Sequence, residues 1–225
     1  MFTPRKEILP AAQQRLWPEL KPAVALGFVL YGGTAIGLRL GHRMSVDFDF
    51  FCEQPLDRKS IVAALPLMRE ATVLQDEPNT WSALVPVGEA EQVKLSFFGT
   101  IGFGRVGEPE MSDDGVLCVA SLDDLMATKL KVVLQRAEAK DYRDIACMID
   151  AGVSLARGLA SAREIFGRHF QPSESLKALV YFDDGDLSSL SAAEKTLLVN
   201  AVSAVRDLPQ VALRSVHLVA LPSGA

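Results

Sequence analysis

The sequence predicts an α/β (α+β) protein in which a mixed sheet flanked by helices is followed by a C-terminal helical region. Three observations on the 225 residues support this prediction. Apolar runs bounded by turn formers, which are typical of strands, lie in the first half of the chain. Apolar residues at helical spacing fill the second half. The pattern changes near residue 120, so we expect a core domain at residues 1–120 and a helical region at residues 121–220 packed on it.

The first domain is predicted to contain five strands and three helical segments. Residues 6–25 have an amphipathic pattern that two prolines interrupt. Gly32-Gly33 ends the first strand, and the short helix that follows has Gly41 as its C-cap. Residues 57–70 have helical periodicity, weakened by a proline. The predicted strands are Ala25–Tyr31, Val46–Phe51, Ala71–Leu74, Trp81–Val87 and Gln92–Phe98.

The helical region is predicted to begin at Ser121, which has the features of an N-cap and precedes acidic first-turn residues. A glycine at position 152 follows the second helix of this region. The predicted helices span residues 121–135, 140–149, 154–170, 174–180 and 192–206. Residues 221–225 are expected to form a frayed tail.

Composition excludes several classes of function. The net charge of −5 and the pI of about 5.3 give no general attraction to nucleic acid. No run reaches the roughly 18 apolar residues of a membrane span. Since the N-terminus also lacks the apolar centre of a signal peptide, we expect a cytoplasmic protein with no membrane partner. The three cysteines and three histidines are scattered, without the spacing of a zinc site.

Two aspartates lie one residue apart in the second predicted strand. Side chains alternate across a strand, so Asp47 and Asp49 project from one face while Phe48 and Phe50 point into the core. Carboxylates about 7 Å apart at Cα can share a hard cation, which predicts Mg²⁺ or Mn²⁺ between them. The alternative is an exposed edge strand with two solvated acids.

A glycine turn precedes the acidic strand. Gly32 and Gly33 let a phosphate approach the backbone closely. The amides at the start of the next helix, together with the Thr34 hydroxyl, make an anion site. Phosphates on one side and a metal on the other predict a metal-chelated nucleoside triphosphate as the ligand. For the glycines alone, a tight turn without a ligand is the alternative.

These residues carry a resemblance to a known family. Tyr31-Gly32-Gly33, followed by thirteen residues and Asp47-Phe48-Asp49-Phe50, resembles the signature of the DNA polymerase β nucleotidyltransferase superfamily. The string GGTAIGLRLGHRMSVDFDFF is similar to the AbiEii branch, bacterial proteins that include toxins of toxin–antitoxin and phage-abortive systems. The later segments VKLSFF, ASLDDLMATKLKVVLQRAEAKDYRDI and LVYFDDGDL share this similarity. The resemblance implies a nucleotidyltransferase-type core, with Gly33 and Thr34 on the triphosphate and the two aspartates on magnesium.

The resemblance also implies roles for residues of the helical region. Lys129 matches a basic residue near the family's site, where it would act in catalysis by neutralising the departing phosphates. Lys140 and Asp141, with Asp144 nearby, match a later element that we assign to nucleotide binding. The alternative is that these lysines are solvated and these acids are helix-terminal charges.

One position departs from the family's pattern. Active superfamily members usually have a third carboxylate on a neighbouring strand, which completes the metal site and can act as a base. Ser96 occupies that position in the segment Val93–Phe98. A hydroxyl supplies neither the charge nor a base near neutral pH. Glu89 and Glu91, at the start of the strand, remain open as substitutes.

A second glycine motif is predicted to bind nothing. Residues 102–107, GFGRVG, fit the pattern GxGxxG after an apolar strand. A dinucleotide site needs a helix that opens at the last glycine, whereas the residues after 107 are polar and rich in turn formers. We therefore exclude dinucleotide binding.

The leading functional hypothesis is a metal-dependent enzyme that transfers a nucleotidyl group from an NTP to a hydroxyl of an RNA or protein acceptor. It would be the toxin of a toxin–antitoxin system, with a cognate antitoxin as partner. The alternative is a catalytically degenerate module that binds nucleotide or a partner, which Ser96 favours. Kinase-like phosphoryl transfer would use the same glycine turn.

Overall fold

The computed structural model describes residues 1–219, and the predicted tail at residues 221–225, together with residue 220, lies outside this range. The chain divides into two compact units. The first contains Met1–Gly102, Glu108–Ala120 and the segment that begins at His217. The second contains Phe103–Gly107 and Ser121–Val216.

Short helices precede the first strand of the first unit. A 3-10 helix with Pro18 in its first turn follows the first helix, and the next helix begins at Pro22, because proline lacks the amide that would continue the preceding turn. The predicted interruption of this segment is therefore confirmed. The helices are α1 (Ala11–Leu16) and α2 (Pro22–Ala25), with 3-10 helices at Lys6–Ile8 and Trp17–Leu20.

The strands of the first unit form one mixed sheet. They are β1 (Val29–Tyr31), β2 (Asp47–Phe51), β3 (Thr72–Glu77), β4 (Thr80–Val87), β5 (Glu91–Phe98), β6 (Glu110–Met111) and β7 (Cys118–Val119). Among residues 1–219, these seven strands have the order β3-β4-β5-β2-β1-β7-β6. Strand β2 pairs antiparallel with β1 and parallel with β5. The predicted α/β fold with a mixed sheet is thus confirmed.

Two further helices of the first unit connect its strands. Helix α3 (Gly32–Leu40) ends at Gly41, whose φ of 70° confirms the predicted glycine cap. Helix α4 (Arg58–Ala64) begins after Asp57, whose side chain accepts the amides of the first turn. The predicted helix at residues 57–70 does not continue past Pro66, where a 3-10 helix takes over.

Several predicted strand boundaries are corrected by the structure. Strand β1 begins only at Val29, because Ala25 ends α2 and the intervening Gly27 has a φ of 79°. Strand β3 continues to Glu77, beyond the predicted end at Leu74. Strands β6 and β7 were missed, since two residues are too short to show alternation.

Aromatic rings form the core on one side of the sheet. Phe48, Phe50 and Phe97 are fully buried. The ring of Phe28 lies 6.1 Å from Phe50 and 5.2 Å from Phe97, and Trp17 lies 6.4 Å from Phe48. Centroid separations of this size are typical of favourable aromatic packing. This cluster holds β2 and β5 against the N-terminal helices.

The second unit is built from helices. They are α5 (Leu122–Val132), α6 (Ala139–Asp150), α7 (Leu155–Phe166), α8 (Pro172–Ala178) and α9 (Ala192–Ala204). Ser121 caps α5 by accepting the amide of Asp124, as the sequence predicted. No helix within the described range is both long and apolar enough to cross a bilayer.

The second glycine motif serves packing rather than ligand binding. No helix begins directly after Gly107. The amides of Val106 and Gly107 donate to the carboxylate of Asp124 at 2.8 and 3.2 Å. A side chain at position 107 would collide with the hydroxyl of Ser121. The motif therefore fits against the start of α5.

Asp114 connects the N-terminal segment to the β6–β7 hairpin. Its carboxylate accepts hydrogen bonds from Lys6 at 3.0 Å, Trp17 at 2.8 Å, Ser112 at 2.7 Å and the Val116 amide at 3.2 Å. Partial burial raises the pKa of Asp114, but these donors outweigh it and hold the pKa at about 2. Because the folded-state pKa is depressed, the contribution of this group to stability is present above the ordinary value of 3.8.

We predict that the stabilising contribution of Asp114 is lost as the pH falls from about 4 towards 2. Asp114→Asn should lower the free energy of unfolding at neutral pH and flatten its decline over this interval. Urea unfolding at pH 7, 4 and 2.5 measures both effects, with Asp113→Asn on the same hairpin as the control. A decline as steep as that of the wild type would contradict the prediction.

Candidate active site

Strand β2 presents the two aspartates on one face of the sheet. Phe48 and Phe50 are fully buried, whereas Asp47 and Asp49 are partly exposed, so the predicted alternation is present. Since β2 lies between β5 and β1, the alternative of an exposed edge strand is wrong. The two carboxylates share a face and can be reached by solvent.

Gly32 lies directly against the carboxylate of Asp49. Its φ is 75°, a left-handed conformation that favours glycine. A Cβ at this position would overlap the Asp49 carboxylate, with its Cγ only 3.1 Å away. The turn that begins α3 and the acidic strand are therefore in immediate contact.

Gly33 lies beneath the side chain of Arg43. A Cβ at Gly33 would stand 2.5 Å from Arg43 Nη2 and 3.2 Å from Ser45 Oγ. The guanidinium also donates to the carbonyl of Met44 at 3.0 Å. Arginine is well suited to bind phosphate through paired hydrogen bonds. A cation thus lies beside the glycine turn, at the start of α3, where Tyr31 provides no side-chain cap.

Thr34 faces the interior rather than the surface. It is 1% exposed, and its hydroxyl donates to the carbonyl oxygen of Asp47. This hydrogen bond joins the first turn of α3 to the start of β2. We now propose that Thr34 positions Asp47, in place of the direct phosphate contact expected from the sequence.

Strand β5 places Lys94 and Ser96 beside the two aspartates. In the parallel register Asp47 pairs with Lys94, and Asp49 pairs with Ser96. The Nζ of Lys94 lies 3.7 Å from Oδ2 of Asp47. Ser96 is 1% exposed and accepts a hydrogen bond from Ser82 at 3.1 Å. Ser96 therefore occupies the position expected for a third acid, next to Asp49.

Glu91 does not replace the missing acid. It lies three residues before Lys94 on β5, and alternation directs it to the opposite face of the sheet. Its carboxylate forms an ion pair with Arg15. Glu89 precedes Glu91 and lies in the exposed turn before β5. Within residues 1–219, no cluster of three or more His, Cys, Asp or Glu is arranged to hold a metal.

The donor set nevertheless suits one hard cation. Asp47 and Asp49 offer carboxylate oxygens on a single face, which Mg²⁺ and Mn²⁺ prefer. The adjacent Gly32 carries no Cβ, so the Asp49 carboxylate can lie directly against the turn. The two aspartates therefore fit a divalent ion, with the remaining ligands to come from water or substrate.

Lys129 and Asp141 lie in the second unit, in a buried ion cluster. Lys129 is 6% exposed, and its Nζ lies 2.6 Å from Asp141 Oδ1 and 2.7 Å from Asp144 Oδ2. Arg136 Nε also donates to Asp141 at 2.8 Å. Burial raises the pKa of Asp141, but Arg136 and Lys129 outweigh it and keep that pKa below its ordinary value. The alternative of a solvated Lys129 is therefore wrong.

Lys140 stands apart from this cluster. Its side chain is 49% exposed and pairs with Glu138 at 2.7 Å. Such exposed pairs contribute little to stability. A role for Lys140 in nucleotide binding stays a prediction.

Sequence reasoning did not identify Arg43 or Lys94. Arg43 lies in the loop between the glycine turn and the acidic strand. Its position close in sequence to the predicted phosphate-binding residues could have indicated a role in binding phosphate. Lys94 lies two residues before Ser96, so strand alternation alone places both on one face. The pairing of that face with the aspartates required the strand register.

A mixed sheet with a glycine turn followed by an acidic strand is the arrangement of nucleotidyltransferase-type proteins. A family model described as "Nucleotidyl transferase AbiEii toxin, Type IV TA system" matches residues 16–206. The chain therefore belongs to the AbiEii family of nucleotidyltransferase toxins, which confirms the resemblance seen in the sequence.

One relative and two solved structures are also similar to this chain. The chain is 30% identical over 171 residues to an uncharacterized protein of Aquifex aeolicus (strain VF5), covering 73% of this chain and 80% of the relative. MenT4, a nucleotidyltransferase toxin from Mycobacterium tuberculosis H37Rv, has a similar structure with a TM-score of 0.51, 14% identity, and coverage of 87% and 92% of the two chains. A nucleotidyltransferase-like protein from Paracoccidioides brasiliensis gives a TM-score of 0.54, 16% identity, and coverage of 91% and 96%. The two structural similarities concern the fold.

We predict that Lys129 is needed for the stability of the second unit. Lys129→Met should leave two buried carboxylates without their cation, which costs about 3–5 kcal/mol of unfolding free energy. Lys140→Met, the control on the exposed surface, should change it by less than about 0.5 kcal/mol. Chemical denaturation of both variants measures the difference. Unchanged stability in Lys129→Met would contradict the prediction.

We also predict different effects on stability for the two glycines of the turn. Gly32→Ala should cost at least about 1–2 kcal/mol, since alanine is strained at this φ and its Cβ displaces the Asp49 carboxylate. Gly33→Ala needs the flexible end of Arg43 to move and the Ser45 hydroxyl to shift slightly, so thermal unfolding should show stability kept or slightly raised. Both variants should bind nucleotide more weakly by calorimetry. Wild-type affinity in Gly33→Ala would contradict a phosphate site at this turn.

Proposed function

We propose that the chain transfers a nucleotidyl group from an NTP to a hydroxyl of an RNA or protein acceptor, with Mg²⁺ or Mn²⁺ as cofactor. The observation that carries the proposal is the contact between the glycine turn and the acid pair within one unit. Gly32 touches Asp49, and Asp47 shares its face. Membership of a nucleotidyltransferase toxin family supports the same activity.

The first contribution of the chain is to bind the triphosphate. Amides at the start of α3 carry partial positive charge towards an incoming anion. The Arg43 guanidinium at Gly33 can add paired hydrogen bonds to phosphate oxygens. Asp47 and Asp49 would hold the divalent ion, which when bound neutralises phosphate charge as the leaving group departs.

The reaction exchanges one phosphorus–oxygen bond for another. The acceptor hydroxyl oxygen attacks the α-phosphorus, and the bond from that phosphorus to the bridging oxygen of the β-phosphate breaks. Pyrophosphate leaves with the bonding electrons, and the proton of the acceptor passes to water. Ser96 cannot accept this proton near neutral pH. The chain therefore contributes positioning and charge stabilisation rather than a carboxylate base on β5.

A second function rests on the same serine. A neutral Ser96, hydrogen-bonded to Ser82, lowers the negative charge available to a metal. This favours a module that binds nucleotide without turnover and acts through a partner. For either function we propose a cognate antitoxin as the partner, because the family is named for a type IV toxin–antitoxin system.

We predict that Asp47→Asn lowers nucleotidyl transfer by about a hundredfold or more, since it removes one carboxylate from the ion. The assay uses NTPs labelled at the α or the γ phosphate, with magnesium and RNA or protein acceptors. Glu70→Gln, an exposed acid of the same unit, is the control and should retain wild-type transfer.

The position of the label distinguishes the candidate functions. Incorporation of the α label indicates nucleotidyl transfer, and incorporation of the γ label indicates phosphoryl transfer. Nucleotide binding by calorimetry without either product indicates the non-catalytic module. Equal α incorporation in the wild type and in Asp47→Asn would refute the assignment of Asp47.

A further inference from the structure

Lys94 lies on the face of the sheet that carries Asp47 and Asp49, which we call the acid face. The parallel register of β2 and β5 sets it opposite Asp47, and its Nζ lies 3.7 Å from Asp47 Oδ2. The side chains of both residues are 37% exposed. The ammonium therefore lies beside one of the two carboxylates that would hold the metal, and it is not fixed by burial.

The charges on this face limit the number of metal ions. Asp47 and Asp49 supply two negative charges, which one divalent cation balances. The neighbouring position on β5 is the neutral Ser96, and its hydroxyl is hydrogen-bonded to Ser82. A second divalent ion would have to approach without a further carboxylate and beside an ammonium, and like charges a few ångströms apart repel each other.

The single acid of β5 does not change the charge on this face. Glu91 faces the opposite side of the sheet and pairs with Arg15. Within residues 1–219, no group of three metal-ligating side chains is brought together. The acid pair and Lys94 are thus the charges that β2 and β5 offer on this face.

We propose that this site takes a single divalent ion and that Lys94 supplies the second positive charge for the nucleotide phosphates. Lys94 is then a substrate-positioning residue. A lysine suits this role because a compact ammonium on a flexible stem can shift from the Asp47 carboxylate to a phosphate oxygen. The inference rests on the proposed function, which it deepens by giving the metal stoichiometry and a further nucleotide-binding residue.

The first test counts ions without requiring turnover. Mn²⁺ is titrated into the full chain with α,β-methylene analogues of ATP, CTP, GTP and UTP, and bound ion is measured by electron paramagnetic resonance. We expect one Mn²⁺ per chain–nucleotide complex in the wild type. Lys94→Glu, which adds a carboxylate beside Asp47, should bind a second ion. Two ions in the wild type would overturn this inference and leave the proposed function standing.

The second test measures the contribution of the ammonium. Lys94→Met should weaken binding of the preferred analogue by about tenfold or more, the factor expected for one charge-assisted contact. Lys94→Arg should retain most of the affinity, and Lys59→Met, an exposed lysine of α4, should bind as the wild type does. Thermal unfolding checks that each variant is folded.

The outcomes separate the two proposals. Wild-type affinity in a folded Lys94→Met would overturn the role of Lys94 alone. A wild-type chain that binds neither Mn²⁺ nor any of the analogues would overturn the proposed function, and this inference with it.

Discussion

The site depends on the burial of Phe48 and Phe50 behind strand β2. Each ring contributes on the order of 2–3 kcal/mol when it is fully removed from water, and both are fully buried. A shift of the strand by one residue would exchange its faces, exposing the rings and burying Asp47 and Asp49. That exchange would lose the aromatic contacts and bury two charges, so only one register is favourable. The hydrophobic core thereby fixes which way the carboxylates point.

The same register determines what surrounds the carboxylates. Because β5 runs parallel to β2, its alternating residues are divided between the same two faces. Phe97 joins the aromatic core, whereas Lys94 and Ser96 lie beside the acids. Thr34 adds a constraint along the chain, since its hydroxyl joins α3 to the carbonyl of Asp47. The glycine turn and the acid pair are therefore held together by the pairing of β1 with β2 and by this hydrogen bond.

Local signals in the sequence predicted the features that depend on neighbouring residues. The alternation around Asp47, the glycine cap at Gly41 and the N-cap at Ser121 all follow from short-range physics, and all are present. Features that depend on distant residues were not predictable in this way. The burial of Lys129 arises from contacts with a different helix, and the position of Lys94 beside Asp47 arises from pairing between strands far apart in sequence. Periodicity within one segment contains neither kind of information.

A serine at position 96, where the family resemblance implies a third acid, has different consequences for binding and for chemistry. In phosphoryl-group transfer the protein mainly positions the reactants and stabilises negative charge, and a base contributes a smaller share. Replacing an acid by the Ser96–Ser82 pair removes a base and a metal ligand but also removes repulsion of the nucleotide phosphates. Lys94 and Arg43 would also reduce the repulsion of the nucleotide phosphates. Lys94 brings a positive charge to the face that carries the aspartates, and Arg43 brings one to the glycine turn. In the function that we propose, these charges would help the first unit to retain an anionic nucleotide with a single metal ion.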